Sequence, residues 1–215
     1  MKGSIRMQKA PILRKRLSKI EAHQGKLVIG ILGTHKGAGV THMGILLANY
    51  LSEWLGRKTA FVECYPQKDI QYIQYYVYGR IEGKEDKEYF SVHRVTYHKS
   101  VKEQEVAEIV GNDYDCVVLD LGTDFIKGKN EFLRCDRRIV VSSLTIWKKQ
   151  ELEKFIMNTC HIKYSDQWTY VIPFVQSKDI KRAAKELHRE IYKIPYEPDP
   201  FALSTDTIQL FQKLI

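Results

Sequence analysis

Residues 27–42 read LVIGILGTHKGAGVTH, a succession of strand, turn and helix signals that indicates the fold class. Residues 27–32 are an unbroken apolar run, which is typical of a strand buried on both faces of a parallel sheet. A glycine-rich turn follows. Apolar residues then recur at helical spacing from about Thr41 to Leu55, and Gly56 suits the end of that helix. Such a turn can hold phosphate groups, because its backbone N–H groups and the helix dipole favour an anion.

The same alternation continues to the end of the chain. Apolar segments predict further strands at residues 59–62, 90–97, 116–119, 139–141 and 170–172. Helical patterns cover residues 102–110, 148–157, 178–191 and 205–214. Strands that alternate with helices predict an α/β fold with a doubly wound, mostly parallel sheet.

Four tyrosines lie between the second and third predicted strands. They are Tyr72, Tyr75, Tyr76 and Tyr78. We expect them to pack against the sheet, and a partner-binding patch is the alternative.

The positive charge of the chain is concentrated at its start. The net charge is +8, from 34 Lys and Arg residues against 26 Asp and Glu residues. Residues 1–26 account for +7 of this, so the remaining 189 residues are nearly neutral. We therefore divide the chain into a basic arm, residues 1–25, and an α/β domain, residues 26–215.

The basic arm has a short amphipathic pattern. Leu13, Leu17 and Ile20 fall on one face of a predicted helix, with basic residues between them. Through residues 1–26 the arm could contact an anionic membrane surface or DNA. The alternative is a solvated tail, or a helix that packs on the body.

Composition excludes several other classes of protein. No apolar run reaches the roughly 20 residues of a membrane-spanning helix. The start has no apolar signal core, so we expect a cytoplasmic protein, with peripheral attachment to the membrane as an alternative. The four cysteines form no CxxC pair, which argues against a structural zinc site and favours reduced thiols.

The turn at residues 33–42 resembles the deviant P-loop of the ParA/MinD family of ATPases, whose pattern is KGGxGK[ST]. Gly37 and Gly39 keep family glycines, and Thr41 keeps the hydroxyl that binds magnesium. His35 takes the place of the family's signature lysine, and Val40 takes that of the Walker lysine. The resemblance implies that residues 26–215 are a P-loop NTPase-like domain. It also implies a nucleotide phosphate site formed by Lys36, Gly37, Ala38, Gly39, Val40, Thr41 and His42.

The two lysine replacements change the chemistry of this turn. The Walker lysine places a positive charge against the β- and γ-phosphates, and Val40 supplies none. The signature lysine of the family reaches across a dimer to the partner's nucleotide, whereas His35 is shorter and mostly neutral at pH 7. Lys36 is an alternative source of charge, although it leaves the loop at a different point.

Two further segments are similar to the family's catalytic motifs. The family carries DxDPQ after its second strand, and this chain has ECYPQ at residues 63–67. Tyr65 replaces the second Asp, which in many members orients the attacking water, so we expect weak or absent hydrolysis.

Asp120 ends a strand that resembles the family's Walker B motif, which implies that it holds magnesium through water. The alternative is that Asp120 caps the next turn. The resemblance implies ATP or ADP and Mg²⁺ as cofactors, with Mg²⁺ held through Thr41, Glu63 and Asp120.

The end of the chain is similar to the family's late loop beside the adenine. We expect Pro195 and Tyr196 to lie on that side of the nucleotide. The family often has an Asn after the preceding strand that reads the base, and this chain has Pro173 and Phe174 there. The arrangement looks most like the branch that includes the TadZ/CpaE pilus-assembly proteins and partition ATPases.

Three functions remain open at this stage. The first is a nucleotide-dependent switch for pilus assembly or for chromosome or plasmid partition, with weak or absent hydrolysis. The second is a pseudo-ATPase scaffold that binds protein partners, membrane or DNA without nucleotide. The third is a non-specific DNA binder that uses the basic arm. Protein partners are expected in the first two, and a homodimer is an open alternative.

Overall fold

The computed structural model describes residues 25–64, 68–79 and 87–215. The predicted helix of the basic arm and the position of Tyr65 lie outside these ranges and stay predictions. The division at residue 25 also stays a prediction.

Eight strands form the sheet. They are β1 Leu27–Gly33, β2 Thr59–Glu63, β3 Tyr89–Val92, β4 Val95–His98, β5 Cys116–Asp120, β6 Arg137–Val141, β7 Thr169–Ile172 and β8 Ile191–Lys193. Their order across the sheet is β3-β4-β2-β5-β1-β6-β7-β8. Neighbouring strands are parallel except β3 and β4, which are antiparallel. The prediction of a mostly parallel α/β sheet is therefore confirmed.

Seven α-helices are present in the described part of the chain. They are α1 Val40–Asn49, α2 Asp69–Tyr78, α3 Glu103–Gly111, α4 Phe125–Arg134, α5 Lys149–Thr159, α6 Ser177–Leu187 and α7 Thr205–Leu214. Helix α1 passes into a π-helical turn, Tyr50–Trp54, and Gly56 follows at φ +70°, the left-handed conformation expected of a helix-terminating glycine. No helix among the described residues combines the length and apolar character needed to span a bilayer.

The helices cover both faces of the sheet. On one face the core includes residues of α1 and α7, where the rings of Tyr50 and Phe211 lie 5.3 Å apart. On the other face α3, α4, α5 and α6 pack around Trp168 and Phe132. Burial on both faces explains the unbroken apolar run of β1.

The parallel strands bring several loops to one edge of the sheet. Strand β1 lies between β5 and β6, with Ile31 opposite Asp120 on one side and Ile139 on the other. Strand β7 follows beside β6. The loops after β1, β5, β6 and β7 therefore open at the same carboxyl edge, which is where α/β proteins bind ligands.

Several local predictions were wrong. The predicted strand 90–97 is a hairpin that turns at His93 and Arg94, both at positive φ. The turn was missed because it has neither Gly nor Asn. The predicted helix 178–191 ends at Leu187, and β8 follows. Helix α2 was missed because its tyrosine-rich sequence favours a strand, and α4 because Gly128 weakens its helical pattern.

The tyrosine cluster also differs from its prediction. Tyr72, Tyr76 and Tyr78 lie on α2 and are exposed, with 90% of Tyr76 accessible to solvent. Tyr72 and Tyr76 do not pack against the sheet as expected. Tyr78 does contact it, because its ring lies 6.4 Å from that of Phe90 on β3 and its hydroxyl donates to the carbonyl of Ser91. The four cysteines are free thiols, as predicted.

Candidate functional site

The glycine-rich turn connects β1 to α1. The N–H group of Thr34 donates to the carbonyl of Val141 at 3.0 Å, and that of Ala38 donates to the carbonyl of His35 at 3.2 Å. Gly37 has φ +79° and Gly39 has φ +98°. Side chains strongly disfavour these conformations, so both glycines are required by the backbone path.

The amino end of α1 faces this turn. Gly39 occupies the N-cap position, where no side chain caps the helix, and the first turn contains no acidic residue. The first N–H groups of a helix have no acceptor within the helix itself. Together with the dipole of α1, they give the turn the properties of an anion site.

Val40 points away from this anion site. Only 4% of its surface is exposed. A Cβ atom placed on Gly33 would lie 2.7 Å from Cγ2 of Val40, so the valine side chain packs directly over that glycine. Val40 belongs to the apolar core beneath the loop. Val40 therefore serves packing here and brings no charge to the turn.

Thr41 and Asp120 meet across the start of α1 and the end of β5. The hydroxyl of Thr41 donates to Oδ2 of Asp120 at 2.7 Å, and the N–H group of Gly122 donates to Oδ1 at 3.0 Å. Asp120 thus makes the turn-capping contact that was its alternative role, through Gly122, and also a contact with Thr41, while its magnesium role stays a prediction. Asp120 is 2% exposed, and burial raises the pKa of its carboxyl.

Glu63 lies on the neighbouring strand, in register with Asp120. Its Oε2 accepts hydrogen bonds from the N–H group of Ser100 at 2.9 Å and from the Ser100 hydroxyl at 3.3 Å. Its Oε1 is buried and has no hydrogen-bond partner among the described residues. Burial raises the pKa of Glu63, and the negative charge of Asp120 raises it further.

These oxygen atoms fit a magnesium ion. Mg²⁺ prefers oxygen ligands and retains several waters, so one hydroxyl and nearby carboxylates suffice beside the phosphates of a nucleotide. Thr41 and Asp120 are in direct contact, and Glu63 adds an unpartnered carboxylate oxygen one strand away. Within residues 25–64, 68–79 and 87–215, no group of three or more His, Cys, Asp or Glu side chains is arranged to hold a metal alone.

A pocket of about 460 Å³ opens beside the turn. Five of the seven residues that were predicted to bind phosphate line this pocket: Lys36, Gly37, Ala38, Gly39 and His42. Val40 and Thr41 do not line it. The opposite wall includes Pro195 and Tyr196, so the structure brings the two predicted ends of a nucleotide site to one cavity.

The far end of the pocket is aromatic and rich in proline. Phe174 and Tyr196 are 78% and 70% exposed, and their ring centroids lie 5.7 Å apart. The adjacent Glu197 fixes the late loop to α7, because it accepts hydrogen bonds from the N–H group of Ser204 and the hydroxyl of Thr207. Aromatic faces at this end can stack on a flat ring.

Two histidines lie near the turn, and neither brings a full charge at neutral pH. Oγ1 of Thr34 lies 3.0 Å from Nδ1 of His35 and 2.6 Å from the hydroxyl of Ser142. Burial lowers the pKa of His35, and the charge of Lys148 lowers it further. Burial also lowers the pKa of His42, although the backbone and carboxylate of Glu197 oppose this. Both imidazoles are therefore mainly neutral at pH 7.

The loop after β6 was missed by the sequence analysis. Ser143, Thr145, Trp147 and Lys148 all line the pocket. The order of the strands could have indicated this loop, because β6 lies beside β1 and ends at the same carboxyl edge of the sheet. Phe174, quoted only as a departure from the family pattern, also lines the pocket.

Solved structures share this fold. The chain is similar to a plasmid partition protein from Borrelia burgdorferi bound to AMPPNP, with 16% identity, a TM-score of 0.64, and coverage of 88% of this chain and 96% of that one. It is also similar to the septum site-determining protein MinD from Pyrococcus horikoshii complexed with Mg-ADP, with 15% identity, a TM-score of 0.60, and coverage of 88% and 94%.

A third similar structure is a MinC:MinD cell division protein complex from Aquifex aeolicus. The identity is 17% and the TM-score 0.60, over 80% of this chain and 82% of that one. No protein-family model and no curated protein matches the sequence. These likenesses show that the chain has the fold of ParA/MinD-type P-loop ATPases.

Proposed function

We propose that this protein is a nucleotide-dependent switch of the ParA/MinD type, which binds ATP or ADP with Mg²⁺ and hydrolyses ATP weakly or not at all. The observation that carries the proposal is the 2.7 Å contact between Thr41 and Asp120, directly under a glycine-rich turn with an uncapped helix end. Structures with the same fold hold AMPPNP and Mg-ADP, which supports the same ligand class here.

The nucleotide would lie along the pocket. Its phosphates would bind the backbone N–H groups of residues 37–42, and its base would stack near Phe174 and Tyr196. Mg²⁺ would be held through Thr41 and Asp120, with Glu63 nearby. When bound, the ion would offset the phosphate charge.

The geometry also supports weak hydrolysis. Val40 is buried and supplies no charge, and His35 is mainly neutral. Electrostatic stabilisation of the transferring phosphoryl group is the largest catalytic contribution in such sites. Its loss favours a protein that responds to bound nucleotide without rapid turnover.

The nucleotide-dependent switch would position a cellular assembly such as a pilus, or would partition a chromosome or plasmid. Exposed apolar side chains at the pocket mouth, Ile146, Trp147, Phe174 and Tyr196, support a protein partner or a homodimer there. The complex of MinC with MinD shows that a protein of this fold has a protein partner. Sedimentation with and without Mg-ATP would show whether the chain dimerises.

The basic residues 1–26 support attachment to an anionic surface. DNA binding would appear as retention on DNA that falls steeply with salt, and membrane binding as co-sedimentation with anionic vesicles. Deletion of residues 1–26 should abolish whichever interaction occurs. If the full chain shows neither interaction, the arm is a solvated tail.

The central test is titration of the full chain with a fluorescent ATP analogue, with and without Mg²⁺. Micromolar, magnesium-dependent binding with phosphate release at background is expected. Absence of binding up to millimolar concentration would instead favour the pseudo-ATPase scaffold. The observation in favour of that second function is the packing of Val40 over Gly33, which converts a ligand position into core.

A further inference from the structure

The nucleotide pocket lacks the cation that its predicted ligand needs. A di- or triphosphate carries several negative charges, and backbone N–H groups offset them only in part. Val40 is apolar and buried, and the imidazoles of His35 and His42 are mainly neutral at pH 7. The charge that Val40 does not supply must therefore come from another residue that lines the pocket.

Two lysines line the pocket, Lys36 and Lys148. Lys36 lies in the turn beside Gly37, and both residues are exposed to solvent. Lys148 is only half-exposed and belongs to the opposite wall, in the loop between β6 and α5. A half-buried lysine side chain has less rotamer freedom to lose than an exposed one, so binding an anion costs it less entropy.

The backbone holds Lys148 in place. Its N–H group donates to the carbonyl of Thr145 at 2.8 Å, and the N–H group of Lys149 donates to the same carbonyl at 2.9 Å. Lys148 forms no ion pair with any residue of the described ranges, so its charge is not already neutralised. Lys148 lines the same pocket as His35 and Gly37 of the turn.

The next residue has a different role. The ammonium group of Lys149 lies 3.1 Å from Oε2 of Glu186 and 3.5 Å from Oε1 of Glu153. It does not line the nucleotide pocket, and it lines a neighbouring groove between α5 and α6. Two adjacent lysines thus differ in whether their charge is available to a pocket ligand.

We propose that Lys148 binds the terminal phosphates of the nucleotide, and so supplies from the β6–α5 loop of the same chain the charge that Val40 lacks. This inference rests on the proposed function, because it concerns the same pocket. It goes further by naming a phosphate-binding residue outside the P-loop motif. It also makes the binding charge intrinsic to one chain, without a lysine from a dimer partner.

Isothermal titration of the full chain tests this proposal. The ligands are Mg-ATP, Mg-ADP, AMP and pyrophosphate, and the variants are Lys148→Gln, Lys148→Arg and the matched control Lys149→Gln. Lys148→Gln should weaken Mg-ATP binding by about tenfold or more, with a smaller effect on AMP, because a charge-assisted hydrogen bond to phosphate is lost. Lys148→Arg should keep most of the affinity, and Lys149→Gln should bind as the wild type does.

Two further readouts separate a phosphate contact from a structural role. The dependence of Mg-ATP affinity on salt should become shallower in Lys148→Gln and stay unchanged in Lys149→Gln. Thermal melting should show both variants folded, since both side chains lie at the surface.

The proposal is overturned if Lys148→Gln binds Mg-ATP with wild-type affinity, or if Lys149→Gln weakens binding equally. If Lys36→Gln alone causes the loss, the cation is Lys36 and the proposal is equally wrong.

Failure of the proposed function gives a different result. In that case no nucleotide binds to the wild type, and the pyrophosphate titration decides whether Lys148 still forms an anion site. Loss of pyrophosphate binding in Lys148→Gln would support it, and absence of pyrophosphate binding in the wild type would overturn it.

Discussion

The hydroxyl of Thr41 donates a hydrogen bond to Oδ2 of Asp120 at 2.7 Å, and this contact joins the first turn of α1 to the end of β5. The two residues are 79 positions apart in the chain. Asp120 is buried, so its carboxylate depends on donors such as Thr41 and Gly122. The contact therefore supports both the stability of the fold and the geometry of the predicted magnesium site.

Replacement of Thr41 by valine should affect both properties. Thr41→Val leaves a buried carboxylate oxygen without its donor, and we expect the free energy of unfolding to fall by about 1.5–3 kcal/mol. Magnesium should then no longer strengthen nucleotide binding. Urea unfolding and titration with fluorescent ATP check the two effects. Thr205→Val, at an exposed position that starts α7, is the control and should change neither.

The glycines of the turn give a second prediction. Gly39→Ala places a side chain at φ +98°, where an added Cβ meets no atom within 4 Å, so the cost is backbone strain alone. We expect a loss of about 1–2 kcal/mol in the free energy of unfolding, with weaker ATP binding because the N–H groups turn away. Gly111→Ala is the matched control, since its Cβ also meets nothing and its φ is ordinary. Equal effects of the two substitutions would contradict the assignment.

The buried carboxyls predict how stability depends on pH. The pKa values of Asp120 and Glu63 are both raised by burial, so the folded chain binds more protons than the unfolded chain between the ordinary carboxyl pKa and the raised one. The free energy of unfolding should therefore fall as pH rises through that window. Denaturant midpoints measured upward from the ordinary carboxyl pKa of about 4 give the slope. The lowered pKa values of His35 and His42 act in the opposite direction, so the carboxyl contribution is obtained by comparison with a variant that lacks one carboxyl.

Asp120→Asn should flatten this slope, because one of the two titrating groups is removed. The control is Asp113→Asn, at an exposed carboxyl whose pKa is lowered by its bond to Lys58. Asp113 is ionised in both states above its ordinary pKa, so its replacement should leave the slope unchanged in this range. A steeper slope in Asp120→Asn would disagree with the burial argument.

The aromatic end of the pocket gives a fourth prediction. Phe174→Ala and Tyr196→Ala should each weaken ATP and ADP binding by about 1–3 kcal/mol, the usual contribution of stacking on a base. Pyrophosphate binding should be unaffected, because pyrophosphate has no ring to stack. Tyr76→Ala removes a still more exposed tyrosine that does not line the pocket, and it should leave nucleotide affinity unchanged. Loss of pyrophosphate binding in Tyr196→Ala would show a general collapse of the loop.

Much of the fold could be predicted from local sequence signals. The apolar run of β1, the left-handed glycines and the helix start at Val40 lie close together in the chain, so their meaning does not depend on distant contacts. The hairpin at His93 and Arg94 could not be predicted in this way. His and Arg rarely occupy the positive-φ positions of such a turn. The pairing of β4 with β2 stabilises the hairpin.

The residues of the candidate site also fall into those that have a local sequence signal and those that do not. Thr41, Asp120 and the turn glycines were predicted because each lies in a motif with its own spacing. The sequence by itself therefore determined the class of fold, and it predicted a phosphate turn with His35 and Val40 at the places of the two family lysines. Those features depend on residue identity and on short-range geometry, which the chain carries locally.

Only the tertiary structure decided which other residues join the site. The parallel order of β1, β6 and β7 brings Lys148 and Phe174 to the same pocket as Gly39, from loops more than 100 positions away. It also decided that Val40 packs over Gly33 and that Tyr76 remains exposed. Burial and proximity arise from the packing of whole elements. The i,i+4 spacing of Lys149 and Glu153 is a local signal that Lys149 is paired. Its second contact, with Glu186, and the place of Lys148 in the pocket depend on tertiary packing.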